Sequence, residues 1–235
     1  MNTLIKYYKN ELVGSTLKSL CVALLLICTL SSNSAGVIPP QAKVQGKSYG
    51  EWSAAFWQWV MEHPLDGHPM IDDGTPEVSV GQFGKVWFLG YPFGSVELHV
   101  TIPHGTMLLI PLLNAEASDL EGLGNTTQER LENATFLADH IQNVSATIDG
   151  QPVANLDRFR VISPEFTFSA QSPWIFGDTG GEGTSVGDGY FLLLTPLSTG
   201  THIVHVGGDF HFSVDEGDPF DFDAFADVTF VITVE

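Results

Sequence analysis

Hydrophobic and polar positions follow two different periods along this chain. Between residues 48 and 62, Trp52, Ala55, Phe56, Trp59 and Val60 recur at three- and four-residue spacing, which predicts a helix with one apolar face. Ser48 with Glu51 three residues on is a capping-box start, and Pro64 ends the helix. A second capping box, Thr126 with Glu129, opens a predicted helix near 127–142. Leu131, Ala134, Leu137 or Ala138, and Ile141 would form its inner face.

Most of the remaining text has period two. Val96, Leu98, Val100 and Ile102 alternate with Glu97, His99 and Thr101, the pattern of a half-buried strand. Residues 86–89 form a short apolar run, and 107–113 read as a strand covered on both faces. Val144, Ala146 and Ile148 lead into Asp149-Gly150, a tight-turn signal. Short strands are predicted at 159–161, 166–168 and 190–194. Val204, Val206, Phe210, Phe212 and Val214 share one parity, and Val228, Phe230, Ile232 and Val234 alternate with Asp227, Thr229, Thr233 and Glu235. Residues 63–84 hold three prolines and four glycines and read as a long loop. The sum is a mainly β chain: an antiparallel β-sandwich, jelly-roll or Ig-like, with two short helices. No internal repeat or linker divides residues 36–235, so one domain is expected there, with the helix at 48–62 as its N-terminal segment.

The first 35 residues differ in kind. Lys6, Lys9 and Lys18 precede an apolar run at 20–30, followed by small polar residues to Ala35. This is the form of a secretory signal peptide, with cleavage expected near Ala35 or Gly36. The apolar run is shorter than the ~20 residues a membrane span needs. Both cysteines, Cys21 and Cys28, lie in this segment. The mature protein is therefore expected to be secreted or periplasmic and free of disulfides, of thiolate metal sites and of cysteine nucleophiles. Neither Cys21 nor Cys28 follows a small residue, so no lipid attachment is expected.

Charge excludes further classes. Without residues 1–35, six basic and 27 acidic residues are left, a net −21. No Lys or Arg follows Arg160, whereas twelve acidic residues do. Such a surface repels phosphate, so neither nucleic acid nor the membrane surface is an expected partner. An unidentified ligand or extracellular partner is expected instead, with the chain a monomer.

Several blocks carry a resemblance. They are Gly46-Lys47-Ser48-Tyr49-Gly50-Glu51-Trp52-Ser53, Val86-Trp87-Phe88-Leu89, Ile102-Pro103-His104-Gly105 leading to Ile110-Pro111-Leu112-Leu113-Asn114-Ala115-Glu116, Asp149-Gly150-Gln151-Pro152-Val153, and Gly200-Thr201-His202-Ile203-Val204-His205. In that order they resemble a group of exported bacterial proteins of uncharacterised activity. The resemblance implies secretion and a single β-rich unit. It implies no activity, cofactor or site residue.

Four constellations could carry chemistry. Asn114, Glu116, Asp119 and Glu121 follow the buried strand, and two carboxylates there could act as acid and base in glycoside cleavage. Asp215, Asp218, Asp221 and Asp223 crowd a turn-rich loop, an oxygen-only set suited to Ca²⁺ although not spaced as an EF-hand. A second acidic loop, 177–189, holds Asp178, Glu182 and Asp188. His205, Asp209 and His211 would share a polar face, and could hold a metal, if the strand ran straight through Gly207-Gly208; a bulge or hairpin there would scatter them. Among the tryptophans, Trp52 and Trp59 fit the core stripe, while Trp57 falls off it and would matter if exposed. No G-x-S-x-G, P-loop or H-E-x-x-H motif is present. The favoured reading is a ligand- or partner-binding module, with calcium as a candidate ion. The alternative is an extracellular hydrolase using carboxylates near Glu116 or a metal at His205 and His211.

Overall fold

The computed structural model describes residues 36–71 and 74–235. The signal peptide expected over residues 1–35 lies outside them.

Both helices begin as their caps dictate. In α1, Tyr49–Glu62, the Ser48 N–H donates to Glu51 Oε2 at 2.7 Å, and the Glu51 N–H donates back to Ser48 Oγ at 3.3 Å. The capping box at Thr126 and Glu129 likewise opens α2, Thr127–Asp139. The inner face of α2 differs from expectation. It buries Arg130, Ala134 and Ala138, while Ile141 already belongs to the next strand.

Ten strands follow in chain order: β1 Val86–Phe88, β2 Gly94–Ile102, β3 Met107–Ser118, β4 Ile141–Ile148, β5 Gln151–Pro152, β6 Arg160–Ile162, β7 Phe166–Ala170, β8 Gly181–Leu194, β9 Gly200–Phe212 and β10 Phe222–Val234. They form two five-stranded sheets. One runs β1-β3-β8-β6, with β7 also on β8; the other runs β2-β10-β9-β4-β5. Each sheet contains one parallel pair, β1 with β3 and β2 with β10, so the expectation of purely antiparallel sheets is corrected. The reason lies in the connections. The short turn at 103–106 carries the chain from β2 in one sheet to β3 in the other, so these neighbours in sequence do not form a hairpin. Alternating hydrophobicity reports which face is buried, not which way a strand runs.

A single hydrophobic cluster draws on both sheets and on α1. Leu108, Phe191 and Leu193 come from one sheet, Leu98, Val206 and Phe230 from the other, and Phe56 and Val60 from the helix. Tyr91 ties the sheets together. Its hydroxyl donates to the Leu112 carbonyl of β3, and its ring meets Phe230 of β10 at 6.2 Å.

Two strands are longer than expected. β8 takes in most of the predicted acidic loop 177–189, so Glu182 and Asp188 are strand residues. Its glycines, which look like turn signals, make room for neighbours. A Cβ at Gly183 would stand 2.5 Å from the Phe168 ring, and one at Gly187 2.7 Å from Trp57. β3 likewise continues through Asn114 and Glu116 to Ser118. Among the described residues no helix is long and apolar enough to cross a membrane.

Candidate functional site

The register of β3 on β8 pairs Asn114 with Gly189, Glu116 with Gly187, and Ser118 with Ser185. Residues two apart on a strand share a face, so these pairs form one row. Trp57 of α1, which falls off the helix's core stripe, lies over Gly187 on that row and is only 4% exposed. Beside the row opens a cavity of about 370 Å³. Its walls are mostly aromatic, with Trp57, Phe93, Phe176, Phe210 and Phe222 among them. Asn114, Glu116 and Glu121 supply polar groups.

Glu116 is 5% exposed and accepts from Ser185 Oγ at 2.6 Å. Burial is the main cause that pushes its carboxyl well above the usual range. The adjoining Glu121 carboxyl adds to the shift through a hydrogen bond and through its negative charge, and the Ser185 hydroxyl opposes it. Glu121 is held in turn by Ser118, whose hydroxyl donates to Oε2 at 2.6 Å. Trp57 Nε1 is buried and has no hydrogen-bond partner. Buried donors without partners are rare, so this one asks for an explanation.

The remaining residue of that set has other work. Asp119 accepts from the Thr184 N–H at 2.8 Å and the Thr184 hydroxyl at 2.7 Å, tying the end of β3 to β8. Burial works to raise its carboxyl, and the Thr184 bonds outweigh it and hold the group below its ordinary value.

The acidic loop wraps the same cavity, and its carboxylates fold the loop. Asp218 accepts from the Ser213 N–H at 2.7 Å and meets His140 Nε2 at 2.9 Å. Asp221 accepts from the Val214 N–H at 2.8 Å, Asp223 meets His211 Nδ1 at 2.6 Å, and Asp215 is exposed. The loop so pinned presents Phe220 and Phe222 to Phe212 at centroid distances of 5.1 and 6.0 Å. His140 stacks on the same Phe212 ring at 4.1 Å. The structure therefore does not gather the four aspartates around one point.

The histidine set shares a face but makes no cluster. β9 runs straight through Gly207-Gly208 in unbroken register with β10, which keeps His205, Asp209 and His211 on one side. His205 Nε2 meets Asp227 at 2.7 Å, Asp209 accepts from Asn143 Nδ2 at 2.8 Å, and His211 belongs to Asp223. Four residues of strand separate His205 from Asp209, roughly 13 Å. Among the described residues no group of three or more His, Cys, Asp or Glu could hold a metal ion.

The aromatic wall was missed in the sequence because its members come from five separate segments. One signal was available. Phe220 and Phe222 stand between aspartates in a loop that charge alone would leave solvated.

No protein-family model matches the chain, and no curated protein matches it in sequence. Among solved structures, one described as the solution structure of amebosin aligns over 61% of this chain and 99% of its own, at 12% identity and a TM-score of 0.19. A superposition that poor carries nothing over to this chain.

The buried carboxyl makes stability depend on pH with a definite sign. Glu116 keeps its proton in the native state at a pH where the unfolded chain, with a carboxyl near pKa ~4.3, has released it. Its contribution is thus fully present below that value and is lost as pH rises through the native one. Glu116→Gln removes the titration but can still donate to Glu121 and accept from Ser185. Thermal unfolding from acid to alkaline pH should show the variant gaining on the wild type as pH rises. A difference constant across that range would refute the buried, protonated state of Glu116.

Proposed function

We propose that the chain is an exported β-sandwich protein that binds a small apolar molecule in the cavity beside Glu116. Export rests on the signal-like residues 1–35, and the sandwich on two sheets that share one hydrophobic cluster. The observation that carries the binding reading is an aromatic-walled cavity lined by the buried Glu116, by Glu121 and by Trp57, whose buried indole N–H has no partner. Small-molecule sites take this form: concave, mostly apolar, roughly 300–1,000 Å³, with a few convergent polar groups. Glycoside cleavage fits less well. It needs two carboxyls roughly 5–9.5 Å apart, whereas Glu116 and Glu121 are hydrogen-bonded to each other.

The test is uptake of prodan, a neutral dye whose emission shifts to the blue in apolar surroundings. The wild type should take it up saturably at one site per chain. Leu123→Trp, which adds bulk to the cavity wall, should weaken uptake by about tenfold or more while the far-ultraviolet spectrum stays β-rich. Unsaturable uptake, or a folded Leu123→Trp variant that binds as the wild type does, would remove this reading.

A further inference from the structure

Glu116 and Glu121 lack a cation. The buried Glu116 carboxyl meets that of the half-buried Glu121, and the groups that act on Glu116 are its burial, Glu121 and the Ser185 hydroxyl, with no positive charge among them. Each carboxyl is served by one serine, Ser185 for Glu116 and Ser118 for Glu121. Glu116 and Glu121 are also the titratable side chains among the described residues lining the cavity; no Lys, Arg or His contributes to it. A hydrogen bond between two carboxyls needs a proton on one of them, and burial favours the neutral form of Glu116.

The rings around them suit a cation as well. Aromatic faces carry negative charge density, and a desolvated ammonium over such a face gains roughly 2 kcal/mol or more. The net charge of the whole chain, −19, attracts cations and repels anions. Independently of the acidic pair, Trp57 lines the same cavity, and its buried Nε1 has no acceptor, which a bound molecule with an oxygen atom would supply.

Resting on the reading of this cavity as a small-molecule site, we propose that its ligand is an organic ammonium ion with an apolar body and an acceptor oxygen, its ammonium N–H groups donated to Glu116 and Glu121, its oxygen accepting from Trp57 Nε1 and its carbon skeleton held by the phenylalanine rings. Binding replaces the proton on this pair by the ligand's charge. The Glu116 proton passes to solvent and the ammonium balances one of the two negative charges, so that the site carries one net negative charge before and after binding.

Calorimetric titration with three matched probes tests this on the full mature chain at mildly acid pH, just above the ordinary carboxyl range. 2-Phenoxyethylamine should bind about tenfold or more tightly than 2-phenoxyethanol, the effect of one charge-assisted hydrogen bond, and phenoxyacetate should not bind, the ether oxygen for Trp57 being common to all three. The amine's heat should vary with the ionisation enthalpy of the buffer, because a proton is released; the alcohol's should not. In Glu121→Gln the ratio of amine to alcohol affinity should fall toward one, and a ratio taken within one variant does not depend on that variant's stability. If the variant does not fold, the buffer dependence of the wild type still decides the matter. Alcohol binding as tight as amine binding, or an amine heat independent of buffer, overturns the proposal while prodan uptake leaves the cavity reading standing. Failure of prodan uptake as well would remove both.

Discussion

Phe56→Ala is expected to lower stability by about 3–5 kcal/mol, the cost of emptying a large aromatic site in a packed core. Phe56 has no exposed surface. Its ring centroid lies 5.5 Å from Phe191 of β8, 6.0 Å from Phe88 of β1, and 5.6 and 5.9 Å from Trp57 and Trp59 on its own helix. It is therefore the side chain through which α1 grips the sheet. The neighbours cannot collapse to fill the space, because Trp52 Nε1 donates to the Val44 carbonyl at 3.0 Å and Trp59 Nε1 to the Val80 carbonyl at 3.2 Å, which holds both indoles in place. For a domain of this size the loss should read as a drop in Tm of roughly 10 °C or more. Urea unfolding should show a lower midpoint with an unchanged slope. Since α1 also carries Trp57 into the cavity wall, the variant should lose prodan uptake at temperatures where it is still folded. A change below about 1 kcal/mol would mean that α1 is not seated on the sheet as described.

Phe56 also shows what the sequence could and could not reveal. Its place in the stripe Trp52, Phe56, Trp59 was legible because helical spacing and a capping box are local properties. β2 and β10 were legible for the same reason, as each alternates cleanly between apolar and polar positions. β8 was read as a loop over half its length. Glycine is a turn signal locally, but Gly183 and Gly187 answer to Phe168 and Trp57, which arrive from β7 and α1. Strand direction was likewise out of reach, because the parallel pairing of β2 with β10 joins residues more than a hundred positions apart. Of the site, Asn114, Glu116 and Glu121 were placed in one neighbourhood by position after an apolar strand, and they do line one cavity. The aspartates of the C-terminal loop were read as ion ligands on charge density alone. The bonds that Asp218, Asp221 and Asp223 make to the loop's own backbone and to His140 and His211 were not legible there, because they depend on the turn geometry that brings those N–H groups to them.

Arg160→Ala should be the second severe change, costing about 3–5 kcal/mol, because it strands a buried carboxylate. Asp188 of β8 has no exposed surface. Arg160, the last basic residue in the chain, meets it with two parallel bonds, Nε to Oδ1 at 2.9 Å and Nη2 to Oδ2 at 2.7 Å. Asp188 is the largest influence raising the affinity of this guanidinium for its proton, and Asp139 of α2 adds to it through a contact with Nη1 at 2.7 Å. One side chain thus joins β6, β8 and α2 on a surface otherwise crowded with negative charge. Removing it leaves Asp188 without a counter-charge in a place water does not reach, and leaves Asp139 and Asp188 to repel each other. Asp188→Asn in the Arg160→Ala background takes away the stranded charge and should recover about 1–3 kcal/mol of the loss, the coupling expected of neighbours in one network. Chemical denaturation of the two single variants and the double variant closes the cycle. Additive losses would mean that the pair is not coupled, and the guanidinium would then be holding its strand by packing rather than by charge.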